Sequence, residues 1–301
     1  ARIKILVKAL GPDEFARLVE EEWQHIKDKS TTLTDEEITR VKSFFTEPNY
    51  AQLEDETASY VEQKTNHKGF ANWVARNTHK HKKAGYSIVT LTLKKTGTPP
   101  GDASDKQVEA IANMADKYSF GEVRVTHDQN IVLSDVQQDQ LFDLWNDAKA
   151  AGFATPNLNM LTDIICCPGG DFCGLANAKS IPVAEQLQLK FDDLDFIYDL
   201  GELHLNISGC MNACGHHHVG HIGVLGVDKD GSEWYQVTIG GKQGNDASLG
   251  TVIGPSFAAE EVPGVVKKLI DVYIKHRNPE ERFIDTVRRL GVNPFKEHVY
   301  A

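Results

Sequence analysis

The amino-acid sequence predicts an α+β chain: helices at the N-terminus, then a split βαβ subdomain, then an α/β domain. Three observations predict it. Residues 12–45 show helical spacing of apolar residues and no strand pattern. From Gly85 the order becomes strand, helix, hairpin, helix. Beyond residue 156 strands alternate with helices, and all five cysteines gather there among glycines. The divisions fall at 1–66, 67–155 and 156–301.

The opening ARIKILVKALG has Lys4 and Lys8 breaking its apolar run, so it reads as a short amphipathic helix and not as a leader or a membrane span. From Pro12 to about Lys29, Phe15, Leu18, Val19 and Trp23 recur at helical spacing behind Asp13 and Glu14. Thr34 to Glu37 has the form of a capping box for a helix to about Phe45. Residues 46–66 are polar and read as connection. Gly85–Lys94 alternates as a strand, with Tyr86, Ile88, Thr90 and Thr92 on one face and Val89, Leu91 and Leu93 on the other. Asp102 or Ser104 caps a helix to about Tyr118, buried along Val108, Ile111, Ala112 and Ala115. Glu122–Thr126 and Asn130–Leu133 make a hairpin. A helix from Ser134 or Asp135 carries Leu141, Leu144 and Trp145 to Gly152, and a strand at about Leu161–Cys166 completes the unit. That succession is the ferredoxin-like, split βαβ arrangement. It implies no cofactor by itself.

In the last third, GLANAKSIPVAEQLQLKF is one helix or two, with Pro182 permitting a fresh start. Leu203–Ser208 is a strand. His221–Val227 and Glu233–Gly240 form a hairpin around Asp230-Gly231, followed by a glycine-rich loop that lacks the order of a phosphate loop. Val262, Val265, Val266, Leu269, Ile270 and Tyr273 are the inward stripe of a helix from Ala258 to about His276. Pro279 opens another, with Phe283, Ile284 and Val287 inward and Gly291 as its stop.

The cysteines dominate the chemistry. Cys167 and Cys173 share one glycine-lined loop and Cys210 and Cys214 another, while Cys166 reads as a packed thiol behind them. Thiolates converging from two loops suit an iron–sulfur cluster or a zinc ion. Glycines such as Gly169, Gly209 and Gly215 let backbone approach closely. Zinc pairs are usually two to four residues apart, which fits the second pair and not the first. Disulfides need an oxidising compartment, and buried inert thiols are the plainest alternative for any one cysteine. Residue type and spacing favour the cluster and leave its role open. Three adjacent histidines, His216 to His218, with His221 nearby, invite a metal, but side chains that diverge from one strand do not chelate one ion.

Composition is that of an ordinary globular protein. Five cysteines without an export signal point to a reducing cytoplasm. A net charge of −11 argues against nucleic acid or a membrane surface as partner.

The segments CPGGDFCGLA and NISGCMNACGHHHVGHIGVLG together resemble the sulfite/nitrite reductase hemoprotein family, from about His67 to the C-terminus. The resemblance implies that Cys167, Cys173, Cys210 and Cys214 ligate a [4Fe–4S] cluster, with Cys214 also bridging to the iron of a siroheme. It implies an assimilatory six-electron reduction of sulfite to sulfide, or of nitrite to ammonia, fed by a flavoprotein reductase or a ferredoxin. A cluster-only electron carrier is the reading from another class. By the same resemblance Arg124, Gln129 and Asn130, in a segment similar to the family's RxTxRQ, face the siroheme. Asn212 can donate to cluster sulfur or a siroheme carboxylate or simply form the turn, and His216 and His217 either line the cofactor pocket or take plain solvent or packing roles. Lys179 is near the first loop in sequence. Asp128 stands where that segment would carry Arg. The family consists of two related halves, and this sequence matches the second. The anion-gripping basic residues are therefore expected outside it, and the isolated chain is expected to hold siroheme poorly.

Overall fold

The computed structural model describes residues 3–29 and 32–301 and divides into two compact units, one ending at Tyr50 and one from Ala51 to Ala301. The first contains α1 (Ile3–Leu10), α2 (Pro12–Ile26) and α3 (Asp35–Lys42). Pro12 opens α2 with Asp13 and Glu14 in its first turn, and the Thr34 hydroxyl accepts the Glu37 amide at 3.2 Å to cap α3. None of these helices buries a residue completely. The first two residues of the predicted opening helix lie outside the described residues.

The second unit begins with a helix in a stretch read as connection. Thr57 caps α4 (Ala58–Asn66), and Tyr60 enters the core edge-on to Phe70 of α5 (Lys68–Asn77). One buried aromatic anchors α4, and one residue makes no period. Next come β1 (Thr78–Lys80), β2 (Tyr86–Leu91), α6 (Asp105–Tyr118), β3 (Arg124–Val125), β4 (Ile131–Gln137) and α7 (Leu141–Ala151). The antiparallel sheet has order β1-β2-β4-β3. Ser104 and Gln107 complete a reciprocal capping box on α6, and Gly152, at φ 88°, stops α7.

Three expectations are corrected here. β4 runs on to Gln137, so Ser134 and Asp135 are buried strand residues and not a helix start. The α6 stripe is Ile111, Met114, Ala115 and Tyr118, with Val108 turned out to solvent. β2 is buried on both faces.

The remaining elements are β5 (Ile165–Cys166), α8 (Gly169–Phe172), α9 (Ile181–Lys190), α10 (Leu194–Leu200), β6 (Leu205–Ser208), β7 (Ile222–Lys229), β8 (Ser232–Ile239), β9 (Thr251–Val252), α11 (Val262–His276), α12 (Phe283–Leu290) and α13 (Asn293–Tyr300). Their sheet has order β5-β6-β7-β8-β9, parallel from β5 to β7 and antiparallel beyond. β5, expected to finish the ferredoxin-like sheet, belongs to this one, and β1 takes the edge beside β2 instead. All six predicted inward residues of α11 are buried. They pack with Leu205, Ile207, Val224 and Val237 in a core separate from that of Phe70, Trp73 and Leu133. Each such side chain contributes roughly 1.5–3 kcal/mol by leaving water. Among the described residues no helix is long and apolar enough to cross a membrane.

Candidate metal centre at the ends of two parallel strands

β5 and β6 are adjacent and parallel, in register Cys166 to Ile207. The loops that follow them therefore leave the same edge of the sheet side by side, the place where open α/β sheets present ligands. One loop carries Cys167 and Cys173, the other Cys210 and Cys214. The Cys167 amide donates to the Ile207 carbonyl at 3.1 Å, and the Gly209 amide donates to Cys167 Sγ at 3.0 Å. Ser180 Oγ lies 3.5 Å from the same sulfur. The first loop then folds back: the Asn177 and Ala178 amides donate to the Gly209 carbonyl at 2.8 and 3.0 Å, and Gly170 donates to the Ala178 carbonyl at 2.9 Å. Cys173 closes α8 by donating to the Gly169 carbonyl at 2.9 Å.

The second loop is held as firmly. Asn206, buried on β6, donates to the carbonyls of Gly215 and His216 at 3.0 and 3.4 Å, and Gly215 donates to Ser208 Oγ at 3.1 Å. The closeness depends on absent side chains. A Cβ on Gly209 would stand 2.6 Å from the Ala178 carbonyl, and one on Gly215 would stand 1.9 Å from the Ile207 carbonyl. Cys167 and Cys210 are buried, Cys173 is half-buried and Cys214 is exposed. Cys166 is buried behind them, where burial pushes its thiol pKa far up, so it stays protonated.

Thiols arriving in pairs from two loops suit an iron–sulfur cluster or a single soft ion. Four thiolates around one zinc lie about 3.8 Å apart, from the Zn–S bond length and tetrahedral geometry. No three cysteine sulfurs here lie within 4.8 Å of one another.

The residues that the resemblance places against siroheme separate into two groups. Asn130 is buried: its carbonyl accepts the Leu93 amide at 3.1 Å and its amide donates to Asp163 at 3.0 Å. The Gln129 amide donates to the Cys166 carbonyl at 2.7 Å and accepts the Cys166 N–H at 2.8 Å. In this structure Gln129 thus seats the strand that carries Cys166, and Asn130 ties Leu93 to Asp163. In the other group Arg124 is exposed and ion-paired with Glu122, and Asn212 and His216 stand on the second loop, half-buried and exposed. His217 is buried with Nδ1 unpartnered, its pKa lowered to about 4 by burial and by neighbouring His218. The histidine run lies on a 3-10 turn, with His216 at φ 53°, and not on a strand. The Asp128 carbonyl accepts from Lys94, and its carboxylate lies 3.2 Å from His127 Nε2. Lys179 lies 3.7 Å from Asp171 of the first loop. Ser180 and Lys94 went unrecognised, since a serine or lysine announces no contact in a sequence.

His221 turns away from that run to meet His204 and Glu202, the one grouping of three donors at single-ion spacing among the described residues. His221 Nδ1 accepts the His204 backbone N–H at 3.2 Å, which places its proton on Nε2 and leaves neither nitrogen for a metal. Burial, reinforced by His204, lowers its pKa from 6.5 to about 3. The folded protein keeps it neutral while the unfolded chain protonates it, so its contribution is complete above about pH 6.5 and is lost as the pH falls toward 3. Urea unfolding should give a stability lower at pH 5 than at pH 7 by on the order of 1–2 kcal/mol from this group. His221→Gln, which retains an acceptor without titrating, should remove that part of the difference.

A glycine-cradled set of thiols at the carboxyl edge of a mixed sheet defines a cluster-type redox domain. The nitrite and sulphite reductase 4Fe-4S domain matches residues 159–301, and the nitrite/sulfite reductase ferredoxin-like half domain matches residues 79–151. The chain is 29% identical over 210 residues to the ferredoxin–nitrite reductase of Synechococcus elongatus, covering 66% of this chain and 39% of that protein. It is 27% identical over 209 residues to a sulfite reductase [ferredoxin] of Mycobacterium tuberculosis, covering 65% and 38%. The structure of Mycobacterium tuberculosis NirA superposes with TM-score 0.64 at 22% identity, covering 98% of this chain and 49% of that one, a likeness of fold. The chain belongs to the sulfite/nitrite reductase hemoprotein family. Its matched region spans under two fifths of those two curated relatives.

Proposed function

We propose that this chain is the cluster-bearing part of a reductase that takes sulfite to sulfide or nitrite to ammonia by six electrons. In this reading Cys167, Cys173, Cys210 and Cys214 hold a [4Fe–4S] cluster, and Cys214 faces a siroheme. The meeting of the two cysteine loops at the ends of β5 and β6 supports it most. When bound, cluster and siroheme would supply one-electron transfer and an open iron position for the anion. The chain's own part is to hold thiolates in place. The Gly209 N–H stabilises negative charge on Cys167, and Asn206 fixes the loop that presents Cys214. Arg124, Asn212, His216 and His217 are the groups left to meet siroheme carboxylates. The donor is a ferredoxin, as the names of the relatives indicate for them.

Anaerobically prepared protein should contain about four iron and four acid-labile sulfide per chain, the composition of a cube. Cys167→Ser and Cys210→Ser should bring both to background, whereas Cys166→Ser should retain them. Zinc in place of iron overturns the reading. Porphyrin absorption bands separate the siroheme protein from a cluster-only carrier.

A further inference from the structure

Lys94 follows β2 and has no solvent exposure at all. Its ammonium donates to the Ile164 carbonyl at 2.6 Å and to the Asp128 carbonyl at 3.0 Å, and the Asp163 carboxylate lies 3.8 Å away. Two carbonyls at hydrogen-bond distance and a carboxylate at ion-pair distance surround the nitrogen, and these favour the ammonium over the lone pair of a neutral amine, against the burial that works to lower its pKa. Asp163 is itself held, accepting from Asn130 Nδ2 and from the Asn159 amide, both at 3.0 Å. A buried cation costs folding free energy, and its retention in an interior where an apolar side chain would pack asks for a use.

The use lies in what Lys94 touches. Ile164 is three residues before Cys167 on the segment that delivers the first sulfur. We infer that Lys94 is a positioning residue for the metal centre, setting its electrostatics from behind. It holds the backbone of that segment and keeps one unit of positive charge near the thiolates, favouring the form of the centre that carries one more electron. This inference rests on the cluster reading.

The charge and its counter-charge provide opposite tests. A unit charge on the order of 10 Å from a redox centre, at the effective dielectric of a protein interior, changes a one-electron equilibrium on the order of tenfold. Dye-mediated titration with dithionite, followed by the cluster's EPR signal, reads this as the reduced-to-oxidised ratio at a fixed potential. Lys94→Met is expected to lower that ratio about tenfold, Asp163→Asn to raise it, and the double variant to return near wild type. A structural role alone would lower the urea midpoint of both single variants without moving the ratio in opposite directions. Ratios that stay put, or move together, overturn the inference while the cluster reading stands. Wild-type protein without iron and labile sulfide overturns the cluster reading and this inference with it. Should Lys94→Met not fold, Asp163→Asn alone decides by the sign of its shift.

Discussion

Gly215→Ala is expected to lose iron and to be destabilised by about 3 kcal/mol or more, at the upper end of what an added methyl costs in a full interior. The new Cβ would stand 1.9 Å from the Ile207 oxygen, 2.8 Å from its carbon and 3.2 Å from the Cys167 nitrogen. All three are backbone atoms, and the same Ile207 oxygen accepts the Cys167 N–H. No side chain can swing aside, so relief must come from pushing the second loop off β6, against the bonds by which Asn206 and Ser208 hold Gly215, and away from Cys167. Gly174→Ala is the matched control. It lies next to Cys173, a Cβ there meets nothing within 4 Å, and its stability should stay within about 0.5 kcal/mol of wild type. Urea unfolding and iron content per chain, measured on both variants, check the pair.

The second large effect is expected at Gln129. β5 is an edge strand: Cys166 faces Ile207 of β6 on one side, and its own N–H and C=O point away from the sheet. The Gln129 amide meets both, at 2.8 and 2.7 Å, and so takes the place of a peptide unit in a missing neighbouring strand. Gln129→Ala leaves a buried donor and a buried acceptor unpaired, at a cost of about 2–3 kcal/mol for the two. Gln129 already has φ 60°, so alanine adds no backbone strain of a different kind. The change should appear in urea unfolding and as faster hydrogen exchange of the Cys166 amide. Gln129→Glu should not rescue it, because a carboxylate accepts the N–H but faces the carbonyl with a second acceptor.

These two residues show how differently parts of the chain can be read in advance. The α11 stripe was visible because six apolar residues keep one period over fifteen residues. The β7–β8 hairpin was visible because Asp230 and Gly231, at φ 54° and 80°, satisfy a turn that few residue types accept. Tyr60 had no such support, and α4 was missed with it. Gln129 and Asn130 stand out in the sequence as polar residues at the end of a hairpin, but the protein groups they meet do not. Their partners, Cys166 and Asp163, lie more than thirty residues on, and no local pattern encodes that distance.

Residue type and spacing alone singled out two glycine-lined pairs of thiols as the candidate centre, because soft ligands in such turns have few other uses. Tertiary structure decided which strand joined which sheet. β5 pairs with β6 because both carry apolar side chains into the core beneath α9 and α11, and that choice sets Cys167 beside Gly209. It also decided that a lysine and a glutamine from the other sheet would seat the cysteine strand, since hydrogen bonds between distant segments exist only once packing has brought them within 3 Å.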